Sequence, residues 1–269
     1  MDLHTVETYC RPLDLASVPP WKRGCAWLAG GTWIFSEPQP HLTTLVDLEP
    51  LGWSEITVED DRLEIGATCT LRQLVTYPWS AEWTATEAFR GAVSALAASF
   101  KVTHLATIGG NVCLALAIGV MAPVLVALDA TYEIWSPTDP PRTVAAKDFQ
   151  LGVQQTVLQP GEVLRRIWIP LASLSWRTQV QRFGIAETDP ALSLVVAAVD
   201  PATDRTRVCL GACVVAPYLL EFDRIPSSEQ ITAALQAVPW LTDSRASGSY
   251  RQQMTEVLIR RSLHALREP

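Results

Sequence analysis

Two glycine turns, set far apart along the chain, most constrain what it can fold into. Gly30-Gly31-Thr32 follows the apolar pair Leu28-Ala29, and Thr107-Ile108-Gly109-Gly110-Asn111 follows Ala106. Glycine tolerates positive φ and leaves room where a Cβ would stand, so such turns mark tight reversals or close approaches of backbone. Taken alone, Gly-Gly-Thr is a turn after a strand and nothing more. Neither turn fits Gly-x-Gly-x-x-Gly or Gly-x4-Gly-Lys-Ser/Thr, so the ordinary dinucleotide and P-loop readings lose support.

The stretches around the turns predict the rest. Leu28-Ala29 ends a short buried strand and residues 42–48 form another, which makes residues 1–55 a small βαβ-type unit. Ile56 and Val58 alternate with Thr57 and Glu59, Asp60-Asp61 turns the chain, and residues 63–67 return as the second arm of a hairpin. Thr70 is the N-cap of a helix that begins at Leu71. Phe89, Val93, Leu96 and Phe100 fall on one face, so residues 87–102 read as one amphipathic helix. Residues 130–136 alternate like an edge strand, and residues 163–170 form a strand closed by Pro170. A shift in composition at 172–177 marks a boundary. Beyond it come strands at 191–199 and 208–215 and helices at 228–238 and 250–267. The fold class is α+β, with units at 1–55, 56–171 and 172–269.

Composition removes several classes of function. The net charge is −7 and the only lysines are Lys22, Lys101 and Lys147, whereas a nucleic-acid footprint needs clustered cations. The apolar run 112–128 is at the lower edge of the roughly 17–25 residues that span a bilayer, and Gly119 and Pro123 interrupt it, so it reads as a buried segment. The opening residues lack the basic and apolar regions of a secretory leader, and a cytoplasmic location is expected. Six cysteines (10, 25, 69, 113, 209 and 213) form no Cys-x-x-Cys pair and read as small buried residues. The histidines 4, 41, 104 and 264 are isolated, so no metal site is expected in this chain. Trp21, Trp27 and Trp33 near the first turn read as core or interface packing, and Cys113 as a buried small side chain.

The turns also carry chemistry. A pyrophosphate needs several converging donors, and backbone N–H groups in a turn form such an anion nest. Thr32 and Thr107 can add hydroxyl donors, and Asn111 an amide.

Leu28-Ala29-Gly30-Gly31-Thr32, Leu45-Val46-Asp47-Leu48, residues 63–67, Thr70-Leu71-Arg72-Gln73-Leu74, Ala106-Thr107-Ile108-Gly109-Gly110-Asn111, residues 122–130 and Pro160-Gly161-Glu162-Val163-Leu164 resemble, in order and spacing, the FAD-binding (medium) subunit of the xanthine dehydrogenase and carbon-monoxide dehydrogenase family of molybdenum hydroxylases. The resemblance spans most of residues 1–170 and continues more loosely through Asp189, Ala191, Leu192 and residues 195–199. It implies a two-lobed PCMH-type FAD-binding domain followed by a C-terminal α+β domain with a three-stranded-type sheet and helices. It also implies FAD held by Ala29, Gly30, Gly31, Thr32 and Trp33 from one lobe and Thr107, Ile108, Gly109, Gly110 and Asn111 from the other, with Leu164 near the isoalloxazine ring and Arg182 where the family has a lysine. No catalytic acid or base is expected here. Partners implied are a small subunit with two [2Fe–2S] clusters and a large molybdopterin subunit, with electrons leaving FAD for NAD, oxygen or a quinone.

The chain departs from the family at three places. Trp33 and Val120 stand where acidic residues are usual, and Ile185 where an arginine is. They motivate an alternative, a degenerate member without FAD that serves as a structural or assembly subunit. A covalently linked flavin oxidase is a weaker third, because the first turn holds no His or Cys for attachment.

Overall fold

The computed structural model describes residues 3–267, and it is α+β. Strands β1 (Thr8–Cys10), β2 (Cys25–Leu28) and β3 (Thr44–Asp47) form a parallel sheet in the order β1-β3-β2. The expected βαβ crossover is absent here. Residues 29–43 contain no α-helix, and the chain passes from β2 to β3 through turns closed by Phe35 N–H on the Gly31 carbonyl at 3.0 Å. The glycine pair at one end and Pro38 and Pro40 at the other leave no uninterrupted helix-forming stretch between them.

The second sheet is antiparallel and ordered β4-β5-β10-β6-β7. It is built from β4 (Ile56–Glu59), β5 (Arg62–Gly66), β6 (Thr131–Trp135), β7 (Arg142–Ala145) and β10 (Val163–Pro170), with a small hairpin, β8 (Gln150–Gly152) and β9 (Gln155–Thr156), beside it. The β4–β5 turn forms as expected, with Asp60 at φ 52°. Alternation sorts the faces: Leu63, Ile65, Tyr132, Ile134, Ile167 and Ile169 are buried in one core, while Glu64 points the other way between Arg62, at 2.7 Å, and Arg166. β6 is not an edge strand, because β7 pairs outside it; its own alternation looks the same in either position.

Five helices cover the apolar face: α1 (Leu71–Thr76), α2 (Glu87–Ala95), α3 (Phe100–Leu105), α4 (Ile108–Cys113) and α5 (Met121–Ala127). Thr70 caps α1 in a full capping box with Gln73. The single helix expected over 87–102 is two. Ala97 takes a left-handed conformation at φ 52°, and Ser99 caps a new start by accepting from Val102 N–H. Phe100 consequently leaves the apolar face and is 74% exposed.

After the short α6 (Leu171–Leu174), a third sheet runs β11 (Arg177–Phe183), β12 (Ser193–Val199), β13 (Thr206–Gly211) and β14 (Tyr218–Phe222), antiparallel and in chain order. It has four strands rather than the three expected. Helices α7 (Ser228–Leu235) and α8 (Gly248–Ala265) cover one face. Val195, Ala197 and Val199 of β12 pack with them, while Leu194, Val196 and Ala198 join the core of the second sheet and its helices. Burial on both faces explains why β12 is an unbroken apolar run rather than an alternating one.

Candidate functional site

The chain leaves β2 through Ala29 into the first turn. A Cβ on Gly30 would stand 1.7 Å from the Leu105 carbonyl oxygen, so only glycine lets this turn lie against the end of α3. Gly31 has φ +68°, and a Cβ there would meet the Phe35 ring at 2.5 Å. The carbonyls of this segment are turned back into the protein: Gly31 accepts from Phe35 N–H, Trp33 from Ser36 N–H, and Thr32 from the Ser36 hydroxyl at 2.5 Å. The amides are not. Among the described residues, none accepts a hydrogen bond from the N–H groups of Gly30, Gly31, Thr32, Trp33 or Ile34. Five consecutive donors without an acceptor, on a turn lining a cleft, are suited to an anion.

The second turn is different. It is the start of α4, with Thr107 as N-cap accepting from Gly110 N–H at 3.0 Å. Ile108 N–H goes to the Cys69 carbonyl and Gly109 N–H to the Ala67 carbonyl, both at 2.9 Å, and Asn111 N–H to the Thr107 carbonyl at 3.0 Å. These amides are therefore spent inside the protein, contrary to the expectation of a second nest. What the turn offers instead is the Thr107 hydroxyl proton, since a hydroxyl that accepts can still donate. It also offers open space at Gly110, where an added Cβ would meet nothing but the Thr107 hydroxyl, at 2.9 Å. Gly109 is a glycine for another reason: its Cβ would fall 2.6 Å from the Ala67 carbonyl oxygen.

Asn111 has a role the sequence did not reveal. Its side-chain oxygen accepts from Val120 N–H at 3.2 Å and Met121 N–H at 3.0 Å. Val120 is the N-cap residue of α5 and has no side-chain oxygen to offer, so Asn111 caps that helix from across the loop.

Both turns open on one cleft of about 380 Å³, where Ala29, Gly30, Gly31, Thr32 and Trp33 meet Thr107, Gly110 and Asn111. Leu96, Val102, Leu114 and Leu116 make its apolar walls. A smaller chamber of about 110 Å³ adjoins it through Trp27, Ala29, Gly110 and Cys113, and there Gly109 and Leu164 lie with Leu48 and Ala67. Among the described residues, no Lys or Arg lines either space. Ile108 is fully buried behind the turn. Arg182, on β11, lies outside both linings and donates its guanidinium to the Asp189 carbonyl. Of the departures, Trp33 lines the cleft, Val120 is buried and Ile185 is exposed.

The remaining polar groups around the cleft are neutral or paired. Burial pushes the Cys113 thiol up to about 12, so it is no thiolate. Glu162, on the smaller chamber, is gripped by Arg142 at 2.7 Å through both oxygens, and that contact holds its carboxyl below the usual range. Trp27 donates to the Glu162 carbonyl and stacks on Trp21 at 4.7 Å. The apolar walls Leu96, Val102, Leu114 and Leu116 were missed as site residues, because in sequence they look like any other helix or core positions.

Residues 6–172 match the family model of the FAD binding domain in molybdopterin dehydrogenase. The chain is 31% identical over 122 residues to a xanthine dehydrogenase of Oryza sativa subsp. japonica, a stretch that makes up 43% of this chain and 9% of that protein. It is 27% identical over 261 residues to the carbon monoxide dehydrogenase medium chain of Afipia carboxidovorans, covering 88% of this chain and 86% of that one. The chain thus spans under a tenth of the rice protein and most of the medium chain. Its fold superposes with a TM-score of 0.83 on a chain of the reconstituted CO dehydrogenase from Oligotropha carboxidovorans, at 22% identity and over 96% of both chains.

Proposed function

Because the chain belongs to the family of FAD-binding domains in molybdopterin dehydrogenases, we propose that it is the FAD-holding, electron-transferring subunit of a molybdenum-containing oxidoreductase complex. One observation carries the reading: a turn with five unengaged amides and a turn with a bare Gly110, more than seventy residues apart in sequence, face the same cleft.

The residues fit a dinucleotide diphosphate in an asymmetric way. The amides of Gly30 to Ile34 hold phosphate oxygens, and the Thr107 hydroxyl donates from the other side. Gly110 keeps the path clear where any side chain would stand in it. Leu96, Val102, Leu114 and Leu116 give the cleft apolar walls, against which each of those hydrogen bonds would be stronger than in water. Leu164 lines the smaller chamber, where the ring system is expected. When bound, FAD supplies reversible redox chemistry, and the protein supplies position and surroundings. The partners proposed are a small [2Fe–2S] subunit delivering electrons and a large molybdopterin subunit hosting the substrate, with NAD, oxygen or a quinone as final acceptor.

Absorbance of the purified chain before and after addition of FAD tests this. Flavin bands that stay with the protein through gel filtration are expected. A chain that stays colourless after FAD addition selects the structural-subunit alternative, which the engaged amides of the second turn and the absence of a lining cation favour.

A further inference from the structure

The cleft wall carrying Leu114 and Leu116 is the loop between α4 and α5, and part of its support comes from elsewhere in the chain. Gln150 donates its side-chain amide to the Val112 carbonyl at 2.7 Å, Gln154 N–H donates to the Ala115 carbonyl at 2.8 Å, and Ala212 N–H donates to the Ala117 carbonyl at 2.8 Å. The last bond crosses from the C-terminal sheet. Ala115 and Ala212 both sit in left-handed conformations, at φ 46° and 61°, which a residue with a Cβ holds only where its surroundings impose it.

The Ala212 carbonyl is held by Arg251. This side chain, from α8, is completely buried. One terminal nitrogen donates to the Ala212 carbonyl at 2.9 Å and to the Leu192 carbonyl at 2.6 Å, and the other donates to both oxygens of Asp243 at 2.8 Å. A buried guanidinium is costly unless its charge and its donors are met. Here Asp243 meets the charge and one terminal nitrogen holds two strand ends, while the buried Nε has no partner among the described residues.

Building on the function proposed above, we infer that Arg251, clamped by Asp243, is a positioning residue for the cofactor cleft. Arg251 fixes the Ala212 peptide, Ala212 N–H fixes Ala117, and the loop then presents Leu114 and Leu116 to the cleft. The C-terminal unit thus shapes the site without lining it.

The test compares Arg251→Met with Leu258→Ala, a cavity in α8 within the core of its helices and sheet that leaves the hydrogen bond to the Ala212 carbonyl in place. Hydrogen exchange of residues 112–121 is followed in flavin-free protein by mass spectrometry, and FAD affinity is measured by fluorescence titration. Arg251→Met is expected to speed exchange in that peptide at least tenfold and to weaken FAD binding about tenfold. Leu258→Ala, at a comparable loss of Tm, is expected to change both less than twofold. Unchanged exchange in Arg251→Met, equal effects of the two variants, or faster exchange with unchanged FAD affinity each overturn the inference. Should Arg251→Met fail to fold, Asp243→Asn at pH 7 removes the clamp while keeping the arginine and is held to the same outcomes. Because the exchange arm needs no flavin, a wild-type chain that binds no FAD sinks the functional reading while exchange still decides whether Arg251 holds the loop.

Discussion

Gly30 and Leu105 touch so closely that a single methyl group on Gly30 would overlap the Leu105 carbonyl oxygen, at 1.7 Å. This contact seats the first turn against the end of α3 and so brings the two glycine turns onto one cleft. Gly30→Ala must push the turn away from backbone that cannot yield. The expected outcome is a loss of stability on the order of 1–3 kcal/mol together with loss of bound flavin, read by urea denaturation and by the flavin absorbance of the purified variant.

Gly110 lies on the open side of the second turn. Gly110→Val fills that space without meeting backbone, and valine is no worse than glycine inside a helix. FAD retention should be abolished while Tm moves by only a few degrees. Normal flavin content in this variant would count against the placement of the diphosphate.

Asn111 caps α5 in place of Val120. Asn111→Leu should cost about 1 kcal/mol of stability, the scale of a lost helix cap. Adding Val120→Asp, which supplies a local cap at the same helix start, should recover most of that loss. Thermal denaturation of the single and double variants decides it; no recovery means that the asparagine stabilises by some other route.

Asp243 sets an acid limit on stability. Burial alone would raise its carboxyl, but the hydrogen bonds from Arg251 and from the Arg245 and Ala246 amides outweigh this and hold it at about 2. A folded-state value below the unfolded one means that the contribution is complete above the ordinary aspartate range near 4 and is lost as pH falls from there toward 2. Between pH 5 and pH 3 the wild type should lose more Tm than Asp243→Asn, which lacks this ionisation. Parallel pH profiles for the two proteins would show that the pair contributes nothing through it.

The Thr70 N-cap, the β4–β5 hairpin across Asp60-Asp61, the strand ending at Pro170 and both glycine turns were all legible from the residues. Each is announced by residue types within a few positions of itself. The family resemblance rests on the same short blocks in order, and the residues it named from the two turns make up half of the lining of the larger cleft. The break at Ala97 was not legible, because Phe89, Val93, Leu96 and Phe100 keep helical spacing across it. Nor was the interior position of β6, because alternation does not say whether another strand pairs outside.

Sequence alone determined where the chain would turn, since glycine's freedom of φ and the absence of a Cβ are properties of the residue itself. Tertiary structure decided what the turns can do. Ile108 and Gly109 hand their amides to Cys69 and Ala67, some forty residues earlier, while Gly30 to Ile34 keep theirs unspent. A backbone donor is the same group at every position. Whether it is left for a ligand depends on which distant carbonyl folding brings within reach, and no local pattern of side chains encodes that.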